Sequence, residues 1–322
     1  MIQVEEPIST DGTVLLQVEM VGMCGTDLNS FRGNNPLISY PRILGHEIAA
    51  TVIEGSAALL SGTRVTVAPY TSCGRCASCL RGRTNACQFN ETFGVQRDGG
   101  MTELLRVPES KVYPSSLSHK ELCIVEPLTV GVHAVARGRV TSSDIVAVFG
   151  CGGVGLGAIA GAAFRGARTI AVDLDDEKLD IACAAGATDL IHSKRDNLHE
   201  KLRELTEDKG PDVIIEAIGM TEIFRAAVEE VAFTGRVVYI GYAKQPVAYE
   251  TKLFVQKELD ILGSRNALPA DFKEVIAMLE AGRFPVDRAV SAIVTLEEAP
   301  AIMAHWSESP ALFTKIMVQI HT

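Results

Sequence analysis

The chain opens with short runs in which apolar and polar positions alternate. Val14–Glu19, Ile48–Glu54 and Arg64–Ala68 each follow a period near two and are separated by Gly and Pro. That pattern predicts half-buried β-strands. Near Pro127 the texture changes. A helical stretch over Leu128–Arg139 leads into compact apolar runs at Ile145–Phe149, Thr169–Val172, Val213–Ala217 and Arg236–Ile240, with a further candidate at Asp260–Leu262. Helical patterns such as Asp176–Ala185 and Ile223–Phe233 lie between them. Alternating strands and helices predict a parallel sheet covered on both faces. The tail returns to mixed texture, with a helix around Phe272–Ala281 and a last apolar run at Lys315–Ile320. No repeat, low-complexity block or linker interrupts the sequence. The layout expected is α/β: a β-rich domain made of residues 1–131 and 268–322, and a doubly wound domain over 132–267.

A length of 322 residues suits two domains. Apolar residues make up 47% and charged residues 22%, as in a globular protein with a sizeable core. The net charge of -10 argues against a nucleic-acid partner, since phosphate backbones are held by Lys and Arg. From Ile145 to Phe164 no residue is charged, which is a length that spans a bilayer. Gly150, Gly152, Gly153, Gly155, Gly157 and Gly161 fall inside it, so a strand, a tight turn and a closely packed helix explain it better than a membrane span. The N-terminus has neither the basic start nor the apolar core of a signal peptide. Eight cysteines, four of them in one cluster, do not resemble a secreted disulfide scaffold, and a cytoplasmic location is expected.

Strand Ile145–Phe149 runs directly into Gly150-Cys151-Gly152-Gly153-Val154-Gly155, a G-x-G-x-x-G pattern between strand and helix. Such glycines make the turn, admit a pyrophosphate to the backbone and let helix pack on strand, while the helix N-terminus faces the anion. A tight strand–helix corner without a ligand uses the same glycines. What favours a dinucleotide is Asp173, at the end of the second strand, whose carboxylate would accept the adenosine ribose hydroxyls and repel a 2′-phosphate. NAD is therefore expected rather than NADP, with Lys178 reaching towards the same ribose and Val154 and Ile240 as further contacts.

Cys73, Cys76, Cys79 and Cys87 stand in a C-x2-C-x2-C-x7-C array. Two intervening residues let neighbouring thiolates converge on one tetrahedral ion, and four thiolates leave no open position, so a structural zinc is expected. A redox pair is the alternative, and the acidic balance disfavours a nucleic-acid zinc knuckle. Cys24 and His46 read blandly when taken alone, as a core thiol and a turn histidine.

In order, Cys24-Gly-Thr-Asp27, Gly45-His-Glu47, the cysteine array, Glu126-Pro-Leu128 and the glycine fingerprint are similar to the zinc-containing medium-chain dehydrogenases over nearly the whole chain. The resemblance implies a GroES-like catalytic domain with a Rossmann domain, two zinc ions per chain, NAD and a small-molecule substrate bearing a hydroxyl. It makes Cys24 and His46 ligands of a catalytic zinc. Glu126 stands where alcohol dehydrogenases place a second cysteine, the polyol-dehydrogenase pattern, with Pro127 opening a helix and Glu126 at its cap. By the same resemblance Glu47 is an alternating ligand or supporting carboxylate, Thr26 takes the hydroxyl proton, and Asp27 orients His46. Substrate hydroxyl acidified at zinc then yields hydride to NAD⁺. Ser39–His46, Gly82–Asn85 and Leu262–Ala267 resemble the L-galactonate and L-gulonate 5-dehydrogenases. Arg265 there suits either a substrate carboxylate or the cofactor.

Sorbitol- or threonine-type enzymes share the same motifs, and a non-catalytic NAD-binding relative is the alternative of another class. Two departures stand out. Asn29 replaces a histidine that continues the proton path in relatives, and relatives begin with an additional N-terminal strand. A homodimer or homotetramer is expected, as in relatives.

Overall fold

The computed structural model of the chain describes residues 3–8 and 10–321. Contacts divide it into two compact units, one of Met1–Glu126, Leu268–Ile276 and Val286–Thr322, the other of Pro127–Ala267 and Ala277–Pro285. The strands in chain order are β1 Thr13–Met23, β2 Glu47–Glu54, β3 Arg64–Val67, β4 Leu104–Pro108, β5 Val112–Pro114, β6 Ile145–Phe149, β7 Arg168–Asp173, β8 Asp189–His192, β9 Val213–Glu216, β10 Arg236–Tyr239, β11 Asp260–Gly263, β12 Ala292–Thr295 and β13 Ile316–Gln319.

In the first unit the sheet runs β12-β13-β1-β2-β3-β5, with β4 also paired to β1. Strand β1 organises it. Val14, Leu16 and Val18 of β1 are buried by period-two alternation against Ile48, Val52, Val65 and Val107, and Val21 joins them after the register shift between Val18 and Met20. Near its C-terminal end, Gly22 pairs with Glu47 of β2 on one side and Met317 of β13 on the other. Met23 joins Leu28, Met303, Trp306, Ile316 and Val318 in a second apolar cluster.

The second unit holds a parallel sheet in the order β11-β10-β9-β6-β7-β8. Read from β8, this is the doubly wound order whose direction reverses beside the first strand, where ligands sit at the carboxyl ends of strands. Val146–Phe149 and Val213–Ile215 are buried throughout, as strands covered on both faces must be. The helix Gly153–Phe164 lies close to the helix Val125–Arg137: a Cβ at Gly157 would strike the backbone of Leu128, and one at Gly131 that of Ala158. The uncharged stretch from Ile145 to Phe164 is thus a strand, a turn and a packed helix, and no helix among the described residues is long and apolar enough to cross a membrane.

One local expectation needs correcting. The helix begins at Val125, so Glu126 lies within its first turn rather than at its cap, with Pro127 following. The first-turn N–H groups have no intrahelical acceptor, so proline is tolerated inside that turn.

Candidate functional site

Cys24 is the N-cap of the short helix Gly25–Phe31 that follows β1. Its Sγ accepts the N–H of Thr26 at 3.2 Å, and Asp27 Oδ2 accepts the N–H of Cys24 at 2.9 Å, a reciprocal cap that fixes both side chains. His46 follows Gly45, whose φ of 98° lies in the left-handed region and whose missing Cβ would otherwise meet Val21. The turn delivers His46 Nε2 to 2.9 Å from Cys24 Sγ. On the other edge of the ring, Nδ1 faces Asp27 Oδ1 at 3.8 Å. Both of those atoms are buried without a hydrogen-bond partner. Burial alone would lower the His46 pKa, but Cys24 and Asp27 outweigh it and hold the imidazole well above its usual range.

Ligand atoms of Cys24, His46 and Glu47 all lie within 4.8 Å of one another. A thiol, an imidazole and a carboxylate converging in a buried place is a donor set that suits zinc. Glu47 has a partner that the motifs did not reveal. Lys315, the residue before β13, places Nζ 2.6 and 2.7 Å from the two carboxylate oxygens and 3.2 Å from the carbonyl of Met23. Exposure is 5% for the Lys315 side chain and 1% for Glu47, so this is a buried ion pair. Gly22 makes room for it, since a Cβ there would run into the Glu47 side chain. Burial lowers the Lys315 pKa, but Glu47 and Cys24 more than reverse that and raise it. The only hint in the sequence was a lysine abutting an otherwise apolar strand.

Glu126 is buried, and the hydroxyl of Tyr70 donates to its Oε1. Burial pushes its carboxyl up to about 6, against the pull of His46 and with the push of Glu47. Tyr70 is the second residue that sequence reasoning missed, because nothing local marks it. Thr26 is half-buried in the first turn of its helix and its carbonyl accepts from Ser30 Oγ at 2.8 Å. Asn29 is exposed on the same helix.

The four cysteines of the array also converge, with Sγ atoms all within 4.8 Å. Cys76 Sγ and Cys87 Sγ stand 3.9 Å apart. Zinc–sulfur bonds of about 2.3 Å in a tetrahedron give edges of about 3.8 Å, so the spacing fits an ion held between them. Backbone N–H groups of Cys73, Cys76 and Phe89 donate to the sulfurs at 3.3 Å each. The Ser78 hydroxyl and neighbouring amides bring the Cys76 thiol down to about 5, while burial pushes Cys79 up to about 11.

In the second unit, Gly150 turns with φ 98° after β6, and a Cβ at Gly155 would strike the Gly150 carbonyl. Gly152 caps the helix and Gly153 begins it; a Cβ at Gly152 would meet open space. Asp173 Oδ2 accepts the N–H of Cys151 at 2.7 Å, and Oδ1 accepts those of Leu174 and Asp175. The acid therefore braces the glycine turn. Lys178 is half-buried in the first turn of helix Asp176–Ala184. Val154 and Ile240 are half-buried and Arg265 exposed, Ile240 and Arg265 following β10 and β11.

Residues 10–117 match the alcohol dehydrogenase GroES-like domain, and residues 153–281 the zinc-binding dehydrogenase domain. A zinc-type alcohol dehydrogenase-like protein of Haemophilus influenzae is 35% identical over 98% of this chain and 93% of its own. The chain belongs to the zinc-type medium-chain alcohol dehydrogenases. L-Galactonate-5-dehydrogenase of Escherichia coli K12 is 32% identical over 88% of this chain and 85% of its own. Among solved structures, the alcohol dehydrogenase rspB of Escherichia coli CFT073, crystallised with NADH, superposes with a TM-score of 0.89 at 27% identity, covering 98% of this chain and 94% of that one. As a member of this family the protein is an oxidoreductase acting on CH–OH groups, with zinc and a nicotinamide dinucleotide as cofactors.

Proposed function

We propose that this zinc-type alcohol dehydrogenase oxidises a secondary hydroxyl of a sugar acid or polyol to the ketone, with NAD⁺ as hydride acceptor. The observation that carries this reading is that a carboxylate, Glu47, converges with Cys24 and His46 in place of a second thiol, with the buried Glu126 acting on His46 by charge. The similarity to L-galactonate-5-dehydrogenase supports a sugar acid as substrate. Asp173 supports NAD⁺, because a 2′-phosphate would lie against a carboxylate that the glycine turn already holds in place.

Cys24, His46 and a carboxylate from Glu126 or Glu47 would hold the catalytic zinc, and Cys73, Cys76, Cys79 and Cys87 the structural one. Zinc bound at the first site supplies Lewis-acid polarisation of the substrate hydroxyl. Asp27 keeps the His46 ring turned with Nε2 towards Cys24. Thr26, fixed by the cap that Cys24 makes, takes the hydroxyl proton at Oγ1. Asn29 lies about one helical turn further on and exposed, so the proton passes from Thr26 to water rather than through an imidazole.

The test is NADH formation with L-galactonate, L-gulonate, sorbitol and L-threonine, using NAD⁺ or NADP⁺, before and after a zinc chelator. Chelator-sensitive turnover of one sugar acid with NAD⁺ is expected. Silence on all four from protein that still carries two zinc ions would refute the substrate class, and a preference for NADP⁺ would refute the role of Asp173.

A further inference from the structure

The cysteine array and the catalytic donors are joined by a short mechanical link. The loop from Cys73 to Cys87 is stapled just outside its ends: Tyr70 and Thr92 form an antiparallel bridge, the N–H of Phe93 donates to the carbonyl of Pro69 at 3.1 Å, and that of Glu91 donates to Thr71 Oγ1 at 2.7 Å. Inside the staple, the N–H of Cys73 donates to Cys87 Sγ at 3.3 Å, and that of Asn90 to the carbonyl of Cys87 at 3.2 Å. The backbone of Tyr70 is thus set by the closed knuckle. The residue is 7% exposed, and its hydroxyl donates to Glu126.

We infer that Tyr70 is a positioning residue that transmits the closure of the four-cysteine knuckle to the catalytic metal site, by holding the carboxylate of Glu126. The inference rests on Glu126 belonging to the catalytic donor set. A phenol that donates one hydrogen bond to a buried carboxylate limits which way its oxygens point, and a carboxylate aimed at a metal is sensitive to such a partner. Substituting outer partners of metal ligands typically weakens metal affinity or activity about 10–100-fold. Tyr70 itself carries no donor role towards zinc, so its effect runs through Glu126. Opening the knuckle would release Tyr70 and reach the same end.

The test uses the full chain with cobalt exchanged into the Cys24–His46 site and zinc retained in the knuckle, read by the visible absorption of cobalt. Tyr70→Phe keeps the ring and removes the hydroxyl. It is expected to shift the cobalt bands in the same direction as Glu126→Gln, to weaken retention of the catalytic metal about 10–100-fold, and to lower kcat with KM for NAD⁺ unchanged, while one knuckle zinc per chain remains. Cys76→Ser, which opens the knuckle, is expected to shift the same bands, with no further shift when combined with Tyr70→Phe. Should Cys76→Ser fail to fold, Thr71→Val removes one staple bond and carries the same comparison. A purely structural role for Tyr70 would lower the melting temperature and leave the cobalt bands in place. If Glu126→Gln shifts the bands and Tyr70→Phe does not, the positioning role is overturned. If Tyr70→Phe shifts them and the knuckle variants do not, the transmission is overturned. If Glu126→Gln itself leaves them unchanged, Glu126 is not in the donor set, and both that reading and the inference fall.

Discussion

Replacing Lys315 with methionine isolates the buried ion pair from its packing. Methionine keeps the length and most of the volume of the stem, so the apolar surroundings at the start of β13 are retained. What disappears is Nζ, with its contacts of 2.6 and 2.7 Å to Glu47 and 3.2 Å to the carbonyl of Met23. Glu47, 1% exposed, is left as a buried carboxylate without its cation. Removing one member of a buried pair typically destabilises by about 3–5 kcal/mol, far more than loss of a surface pair. The raised lysine pKa means that this stabilisation is complete below the unfolded lysine value, near 10.4, and is lost only as pH rises through the folded value above it. Urea unfolding at neutral pH therefore measures all of it. Trp306 is the single tryptophan of the chain and packs with Ile316 and Val318 of β13, so its fluorescence reports on the unit that contains the pair. Lys315→Met should lower stability by about 3–5 kcal/mol at fixed zinc, and Lys315→Met with Glu47→Gln should recover most of it. A loss below about 0.5 kcal/mol, the level of a surface substitution, would refute the claim that the pair is buried and intact in solution.

Asp173→Ala removes the charged acceptor of the Cys151 N–H and, on the proposed reading, that of the adenosine ribose. A charged hydrogen bond of about 1.5–3 kcal/mol corresponds to roughly 10–100-fold weaker NADH binding by fluorescence titration, with discrimination against NADPH relaxed. Gly155→Ala drives a Cβ into the Gly150 carbonyl; NADH binding should be lost while both zinc ions, whose proposed ligands all lie in the other unit, are retained on metal analysis. Asp144 is held below the usual aspartate range: burial would raise it, but the Thr141 N–H and Arg236 win. Its contribution is therefore present above the unfolded value near 3.9 and is lost as pH falls through the lower folded value. Asp144→Asn should flatten the acid limb of stability followed by circular dichroism; an unchanged limb would remove Asp144 from the account.

Much of the fold was legible because its signals are local. Alternation over Val14–Glu19 and Ile48–Glu54, and the unbroken apolar runs of β6 and β9, each reflect burial set by a strand's own two faces. Strand β8, Asp189–His192, was not foreseen, since only Ile191 of its four residues is buried and no period emerges from one position. The donors split the same way. Cysteines two residues apart and glycines in a turn announce themselves through spacing, whereas His46 and Cys24 acquired meaning from their order along the chain. Lys315 lies 268 residues from Glu47, and Tyr70 lies 56 from Glu126. No local pattern encodes a partner that only the closed sheet brings near.

Those distant partners decide how the buried acids are used. Cys24 and Glu47 converge with His46, Asp27 faces the other edge of its ring, Glu126 acts on it by charge, and Lys315 pairs with Glu47. Burial pushes the Glu126 carboxyl up to about 6, with the push of Glu47 and against the pull of His46 and Lys315. The two carboxylates nevertheless differ. Glu47 gives both oxygens to a lysine, whereas Glu126 accepts a hydrogen bond from the phenol of Tyr70. Of the two, Glu47 is the one whose ligand oxygen converges with Cys24 Sγ and the His46 ring within 4.8 Å, and it is already paired with Lys315. A metal bound beside Glu126 would compete with the proton that this carboxyl takes up at about 6, so its retention should weaken as pH falls through that value.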